Sequence, residues 1–215
     1  MATVPVHDLE GPAGRLEALL DVPAGGAPPR AAVVFAHPDP QRGGTVHTKA
    51  VYAGAKALCG IGCAVLRFNF RGVGHSQGAW DEGRGERDDF RAALEWMART
   101  YPGAELWAAG FSFGAWIALT EGAVDRRVSV LVGIAPAVGA YDFSALLAST
   151  KPKFLVHGER DELTPLKALY AFYSQLHEPK ELAVIDAADH LFDGRVSEVG
   201  DALEDLLGDY RTPTN

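Results

Sequence analysis

The groups best suited to covalent chemistry lie in three separate stretches of the 215-residue chain. In Gly110-Phe111-Ser112-Phe113-Gly114 a serine has a glycine two positions away on either side. Small residues are needed there when a chain turns sharply from strand to helix and lifts the hydroxyl clear of the backbone. The helix that follows favours negative charge developing near its N-terminus. A serine hydroxyl is a poor nucleophile at neutral pH until a base takes its proton. Among seven histidines the candidate base is His190, in Ala188-Asp189-His190-Leu191-Phe192, because it follows the last apolar strand pattern and so reaches the same rim. His7 and His177 read as surface residues, and His157 reads as support for the loop it precedes. An imidazole base needs a carboxylate to fix its tautomer, and residues 158–165 offer Glu159, Asp161 and Glu162. A tetrahedral oxyanion would need N–H donors. The Phe113 amide follows the serine. In the loop after residue 36, Pro38 and Pro40 have no N–H, which leaves the Asp39 amide, its carboxylate expected to point away.

Apolar runs and helical patterns alternate from about residue 30 onward, the signature of a mostly parallel sheet. Strands are predicted over residues 31–36, 64–70, 106–109, 128–134, 154–156 and 182–185. A helix is predicted from a Thr45 N-cap to about Leu58, stopped by Gly60. Others are predicted over 83–99, 114–121, 166–176 and 196–207, with Pro165 suiting a first helical turn. Residues 4–9 and 15–20 flank Gly11-Pro12-Ala13-Gly14 and predict a hairpin. The expected architecture is α/β: a mostly parallel central sheet, an N-terminal antiparallel hairpin and helices on both faces, in a single domain over residues 1–215.

Several segments together resemble the α/β-hydrolase superfamily, and most closely its small lidless bacterial serine hydrolases and esterases. They are His37-Pro38-Asp39-Pro40 with Gly43-Gly44-Thr45, Leu66-Arg67-Phe68-Asn69-Phe70-Arg71-Gly72-Val73-Gly74-His75-Ser76-Gln77-Gly78, the Ser112 motif, His157-Gly158 through Asp161 and Pro165, and Ala188-Asp189-His190. The resemblance implies a serine hydrolase without cofactor, cleaving small carboxylic esters through an acyl-enzyme. It also singles out Asp161 from the three acids, and Ser112, Asp161, His190 is the chain order expected of this architecture. Asp39 departs from the pattern, since these relatives often carry a second histidine there, and this bears on substrate preference. Larger relatives insert a cap after the strand corresponding to residues 128–134. Here only residues 135–152 intervene, so a shallow open site is expected, lined by His37, Phe111, Phe113, Tyr141, Phe143, Leu191 and Phe192. The same triad would serve a thioesterase, peptidase or acyltransferase. A non-catalytic binding protein on this fold is the alternative from another class, and the intact set of nucleophile, acid and base argues against it.

Other readings are excluded by composition and context. Twenty Lys and Arg against 28 Asp and Glu give a formal charge of −8, unlike the basic face of a nucleic-acid binder. Cys59 and Cys63 have neither zinc nor thioredoxin spacing and read as small apolar residues. Gly72–Gly78 is not followed by a helix start, so a dinucleotide site is not expected. His37, His75 and Asp39 form no metal-ligand pattern. Residues 1–14 lack a secretory pattern, and no window of about 18 apolar residues is present. The expectation is a cytoplasmic enzyme with a small ester substrate, no nucleic-acid partner and no membrane insertion, either monomer or homodimer.

Overall fold

The computed structural model describes residues 1–211. Eight strands form one sheet in the order β1-β4-β6-β5-β7-β8-β9-β10. β1 (Ala2–Val6) and β4 (Ala18–Val22) pair antiparallel, and β4 pairs antiparallel with β6 (Ala64–Phe68). From β6 onward, β5 (Ala31–Ala36), β7 (Glu105–Phe111), β8 (Val128–Ile134), β9 (Lys153–Gly158) and β10 (Lys180–Ile185) run parallel. A second, two-stranded ladder of β2 (Glu10–Gly11) and β3 (Gly14–Arg15) closes the N-terminal hairpin.

Both faces of the central strands are covered, which is why these segments read as continuous apolar runs. Along β5, Ala31, Val33 and Phe35 face one layer and Ala32, Val34 and Ala36 the other. The first layer holds α1 (Lys49–Gly60) and α6 (Val196–Leu207), which place Val51, Leu58, Val199 and Leu203 against Phe35 and Trp107. The second holds α2 (Arg84–Thr100) and α3 (Phe113–Val124), with Phe90, Leu94, Ile117 and Leu119 against Val34, Leu66 and Phe68. The short α4 (Ser144–Leu147) and α5 (Leu166–Tyr173) add Leu146 and Phe172 there. Each fully buried Leu, Val or Phe contributes roughly 1.5–3 kcal/mol by leaving water.

Topology fixes where a ligand can sit. From β5 the chain moves to β6 on one side, then crosses back to β7 on the other. The carboxyl ends of β5 and β7 therefore flank the point where the winding reverses, the usual place for a crevice in such sheets. The loop bearing Asp39 leaves β5 and Ser112 leaves β7.

Several predicted boundaries are corrected. Thr45 does not cap α1; Thr48 is its N-cap. Thr45 Oγ1 instead accepts from His47 N at 3.1 Å and its carbonyl accepts from Thr48 N at 3.0 Å, a separate turn before the helix. Gly60 is still helical, and the left-handed residue at the exit is Gly62, φ 93°. Pro165 sits at the N-cap of α5, and that helix ends at Tyr173 rather than 176. β6 stops at Phe68, because the Asn69 and Phe70 amides leave the ladder to bond Glu17 O and His37 Nε2. β7, β9, β10 and α3 extend one to three residues beyond the predicted cores.

Candidate active site

The Gly110–Gly114 turn has a steric explanation. Ser112 adopts φ 55° and ψ −114°, a conformation that costs a non-glycine residue about 1–3 kcal/mol. A Cβ on Gly110 would collide with the Gly114 carbonyl, and one on Gly114 would collide with the carbonyls of Ala36 and His37. Glycine at 114 thus lets the first turn of α3 pack against the end of β5. Bonds from Ser112 N to Ile134 O at 2.9 Å and from Trp116 N to Ser112 O at 3.1 Å hold the turn on both sides. Ser112 is 8% exposed.

His190 reaches the serine from the loop after β10. Its Nε2 is 2.8 Å from Ser112 Oγ, and its Nδ1 is 2.7 Å from Asp161 Oδ2. A carboxylate can only accept, so Nδ1 carries the hydrogen and the neutral ring presents Nε2 as acceptor for the serine hydroxyl. Two residues around the base, Ala187 (φ 55°) and Phe192 (φ 58°), are left-handed. The Ala187 amide donates to Glu159 at 2.7 Å, and Phe192 is buried near Phe111, whose ring also flanks His190 at 5.6 Å. Close contact between the two loops demands Gly158, because a Cβ there would lie 2.5 Å from the Ala188 carbonyl.

Of the three candidate acids, the structure brings Asp161 to His190. Its Oδ1 accepts from the Leu163 and Thr164 amides, both at 2.8 Å. Burial pushes its pKa up, but the His190 and Thr164 hydrogen bonds and the two nearby imidazoles outweigh it and hold the carboxyl below its usual range. Glu159 is committed to Ala187, and Glu162 approaches the His190 amide only at 3.5 Å.

The loop after β5 carries Asp39. Asp39 caps a 3-10 turn, Pro40–Arg42, with Oδ1 accepting from Gln41 N at 2.8 Å and Oδ2 at 3.6 Å from Arg42 Nε. Its carboxylate is therefore engaged by its own loop. Phe113 opens α3, where first-turn amides have no intrahelical acceptor. Arg67 near the end of β6 and Asn69 just after it fasten this loop. Arg67 Nη1 donates to Val46 O at 2.6 Å, and the Val46 amide donates to Asn69 Oδ1 at 2.9 Å. Asp21 and Glu17 hold those two side chains in turn. Ser76 Oγ bonds the Glu17 amide and the Asn69 carbonyl, a loop residue as expected.

The expected lining needs revision. Phe111, Phe113, Phe143 and Phe192 are buried, and His37 is fully enclosed. His37 Nδ1 donates to Pro38 O at 2.7 Å while Nε2 accepts from the Phe70 amide at 3.1 Å. Burial brings its pKa down to about 4, partly offset by the Pro38 bond. It is a neutral brace between β5 and the segment after β6, not a lining residue. Of the expected set only Leu191, 54% exposed, and the half-buried Tyr141 present surface. The Tyr141 ring stacks on the buried Trp116 at 4.4 Å, and the half-buried Trp80 lies 5.2 Å from Phe113. Trp116 lies on α3, which is buried along most of its length, so no periodicity marked it. Among the described residues no His, Cys, Asp and Glu group could hold a metal ion, and no helix is long and apolar enough to cross a membrane.

A mostly parallel sheet of this order, with a serine on the β7–α3 elbow, is the α/β-hydrolase fold. The family model described as Serine aminopeptidase, S33 matches residues 27–150. The chain is 35% identical over 206 residues to an uncharacterised protein of Rickettsia prowazekii (strain Madrid E), covering 92% of this chain and 86% of that one. A solved Coxiella burnetii structure, described as an alpha-beta serine hydrolase homologue, matches with 37% identity and TM-score 0.88 over 96% and 97% of the two chains. A Xanthomonas campestris structure, described as an α/β serine hydrolase without lid, matches with 34% identity and TM-score 0.88 over 100% and 96%. The chain belongs to this family of α/β serine hydrolases. It has no large cap among the described residues, where 135–152 contain only the four-residue α4.

Proposed function

We propose that this protein hydrolyses small carboxylic esters through an acyl-enzyme on Ser112. The observation that carries the reading is the unbroken row of hydrogen bonds from Asp161 through His190 to Ser112, at 2.7 and 2.8 Å. Ser112 Oγ attacks the carbonyl carbon while its proton passes to His190 Nε2, and Asp161 stabilises the imidazolium across Nδ1. The amides of Phe113 and Asp39 receive the oxyanion, which a preorganised pair of donors stabilises without reorganisation. Collapse breaks the bond to the alcohol oxygen, which takes the proton from His190 and leaves the acyl group on Ser112. Water then attacks, its proton goes to His190, and collapse returns a proton to Ser112 as the carboxylic acid departs.

One observation favours a second substrate class: the matched family model is described as a serine aminopeptidase, so amide cleavage on the same triad is the rival reading. Both are tested by turnover of matched ester, thioester and amino-acyl amide substrates sharing one acyl group. Ester turnover that greatly exceeds amide turnover, and disappears in Ser112→Ala with the melting temperature retained, is expected. Preference for the amide would replace the ester reading, and ester turnover surviving in Ser112→Ala would overturn both.

A further inference from the structure

His157 is a fully buried imidazole that the acyl-transfer steps do not use. It lies on β9, one residue before Gly158. Its Nε2 is 2.9 Å from the Thr164 carbonyl, and because a carbonyl only accepts, Nε2 carries the hydrogen. The same nitrogen lies 3.5 Å from Asp161 Oδ2, the oxygen that takes the His190 proton donor. Nδ1 is buried and has no hydrogen-bond partner among the described residues. Protonation would put an N–H there with nothing to accept it, and burial pushes the pKa down accordingly.

The loop from β9 to α5 has unequal ties at its two ends. At its start, Glu159 N bonds Ile185 O, Arg160 N bonds Ala188 O and Asp161 N bonds Gly158 O at 3.2 Å, joining it to β10, the base loop and the end of β9. The two donors to Asp161 Oδ1, Leu163 and Thr164, belong to the loop itself. They orient the carboxylate within the loop, but they do not fix the far end of the loop on the sheet. His157 makes that tie by holding Thr164, whose amide in turn holds Asp161.

We infer that His157 is a positioning residue for the proton relay, a neutral imidazole that anchors Thr164 to β9 and so fixes Asp161 opposite His190. This rests on the Ser112–His190–Asp161 reading. It predicts that His157 governs the rate of the chemical step and not the binding of reagents at the open site. A side chain that merely fills space would affect melting temperature alone.

The test is phosphonylation of Ser112 by a fluorophosphonate, in which the Ser112 Oγ–P bond forms, the P–F bond breaks, fluoride leaves with the electron pair and His190 takes the hydroxyl proton. The limiting rate kinact and the half-saturating concentration KI are measured for the natural protein, His157→Leu and His157→Gln. Misplacement of a relay group by about 1 Å costs on the order of a hundredfold, so His157→Leu should lower kinact by about that factor with KI within about twofold. Glutamine places an amide N–H close to the position of Nε2, and His157→Gln should recover about tenfold or more of the loss. A folded His157→Leu protein with unchanged kinact would overturn the inference, as would glutamine no faster than leucine. Should His157→Leu fail to fold, His157→Asn, whose shorter amide stops short of the Nε2 position, is compared with His157→Gln: a kinact at least about tenfold lower for asparagine supports the tie, and equal rates refute it. Absence of labelling in the natural protein would remove the Ser112 reading and this inference with it. Normal labelling that is indifferent to residue 157 would remove the inference alone.

Discussion

The substitution Asp161→Asn isolates the orienting role of the carboxylate with almost no change of shape. Asp161 Oδ1 faces two backbone donors, Leu163 N and Thr164 N, each at 2.8 Å. In the variant the side-chain amide oxygen must take that position, because turning the amide over would set N–H groups against N–H groups. Its NH2 then faces His190 Nδ1, where Oδ2 of the natural residue lies at 2.7 Å. The imidazole answers by moving its hydrogen to Nε2, and the nitrogen facing Ser112 Oγ at 2.8 Å changes from acceptor to donor. A base in the wrong tautomer cannot take the serine proton, and the expected loss is about 10⁴ in kcat, equivalent to about 5.5 kcal/mol of barrier. KM should change little. The assay is steady-state ester turnover across pH, with folding checked by melting. The substitution should also remove a pH-dependent part of stability. The folded-state pKa of Asp161 is lowered, so its contribution is complete above the ordinary carboxylate range and is lost as pH falls through the folded value. An Asp161→Asn protein within about tenfold of natural kcat would refute the tautomer argument.

Gly114→Ala should destabilise by about 3 kcal/mol or prevent folding, since the new Cβ would meet two backbone carbonyls that cannot withdraw; urea unfolding reads this directly. Arg67→Met leaves the fully buried Asp21 without its ion-pair partner and frees the Val46 carbonyl, and should cost about 3–5 kcal/mol with a parallel loss of activity. His37 has a folded pKa near 4 below the ordinary histidine value, so its stabilising contribution is present above about 6.5 and is lost as pH falls towards the folded value. The loss is about 3 kcal/mol, and His37→Gln should flatten that part of the stability–pH curve. Glu159→Ala removes the acceptor of the left-handed Ala187 amide and should lower kcat by about tenfold, with Glu159→Gln recovering most of it.

The outline of the candidate site was legible because its signals are local. Two glycines around Ser112, prolines isolating the Asp39 amide, and His190 just past the last strand pattern each report on a few consecutive residues. Asp161 was chosen over Glu159 and Glu162 by resemblance alone. Strand limits were legible in β5 and β8, whose predicted and observed ends coincide, but not in the equally buried β6 and β9. What escaped depends on residues far apart in the chain. His157 reads as loop support, but its partner Thr164 shows only once the loop folds back on it, and the Arg67–Asn69 grip on Val46 spans more than twenty residues. The aromatic lining failed for a related reason: hydrophobicity marks a residue as apolar but does not say whether it faces a site or the core. Thr45 has a residue type that suits a cap, but it forms a separate turn and the helix starts after Thr48.

The central claim is that Ser112 is an activated nucleophile with His190 as its base. Treating intact folded protein with a fluorophosphonate, and locating the adduct by peptide mass spectrometry, tests it most directly. The account predicts a single phosphonylated residue, Ser112, with labelling lost in His190→Ala. An unlabelled protein across neutral and alkaline pH, or an adduct at another residue that persists in Ser112→Ala, would contradict it.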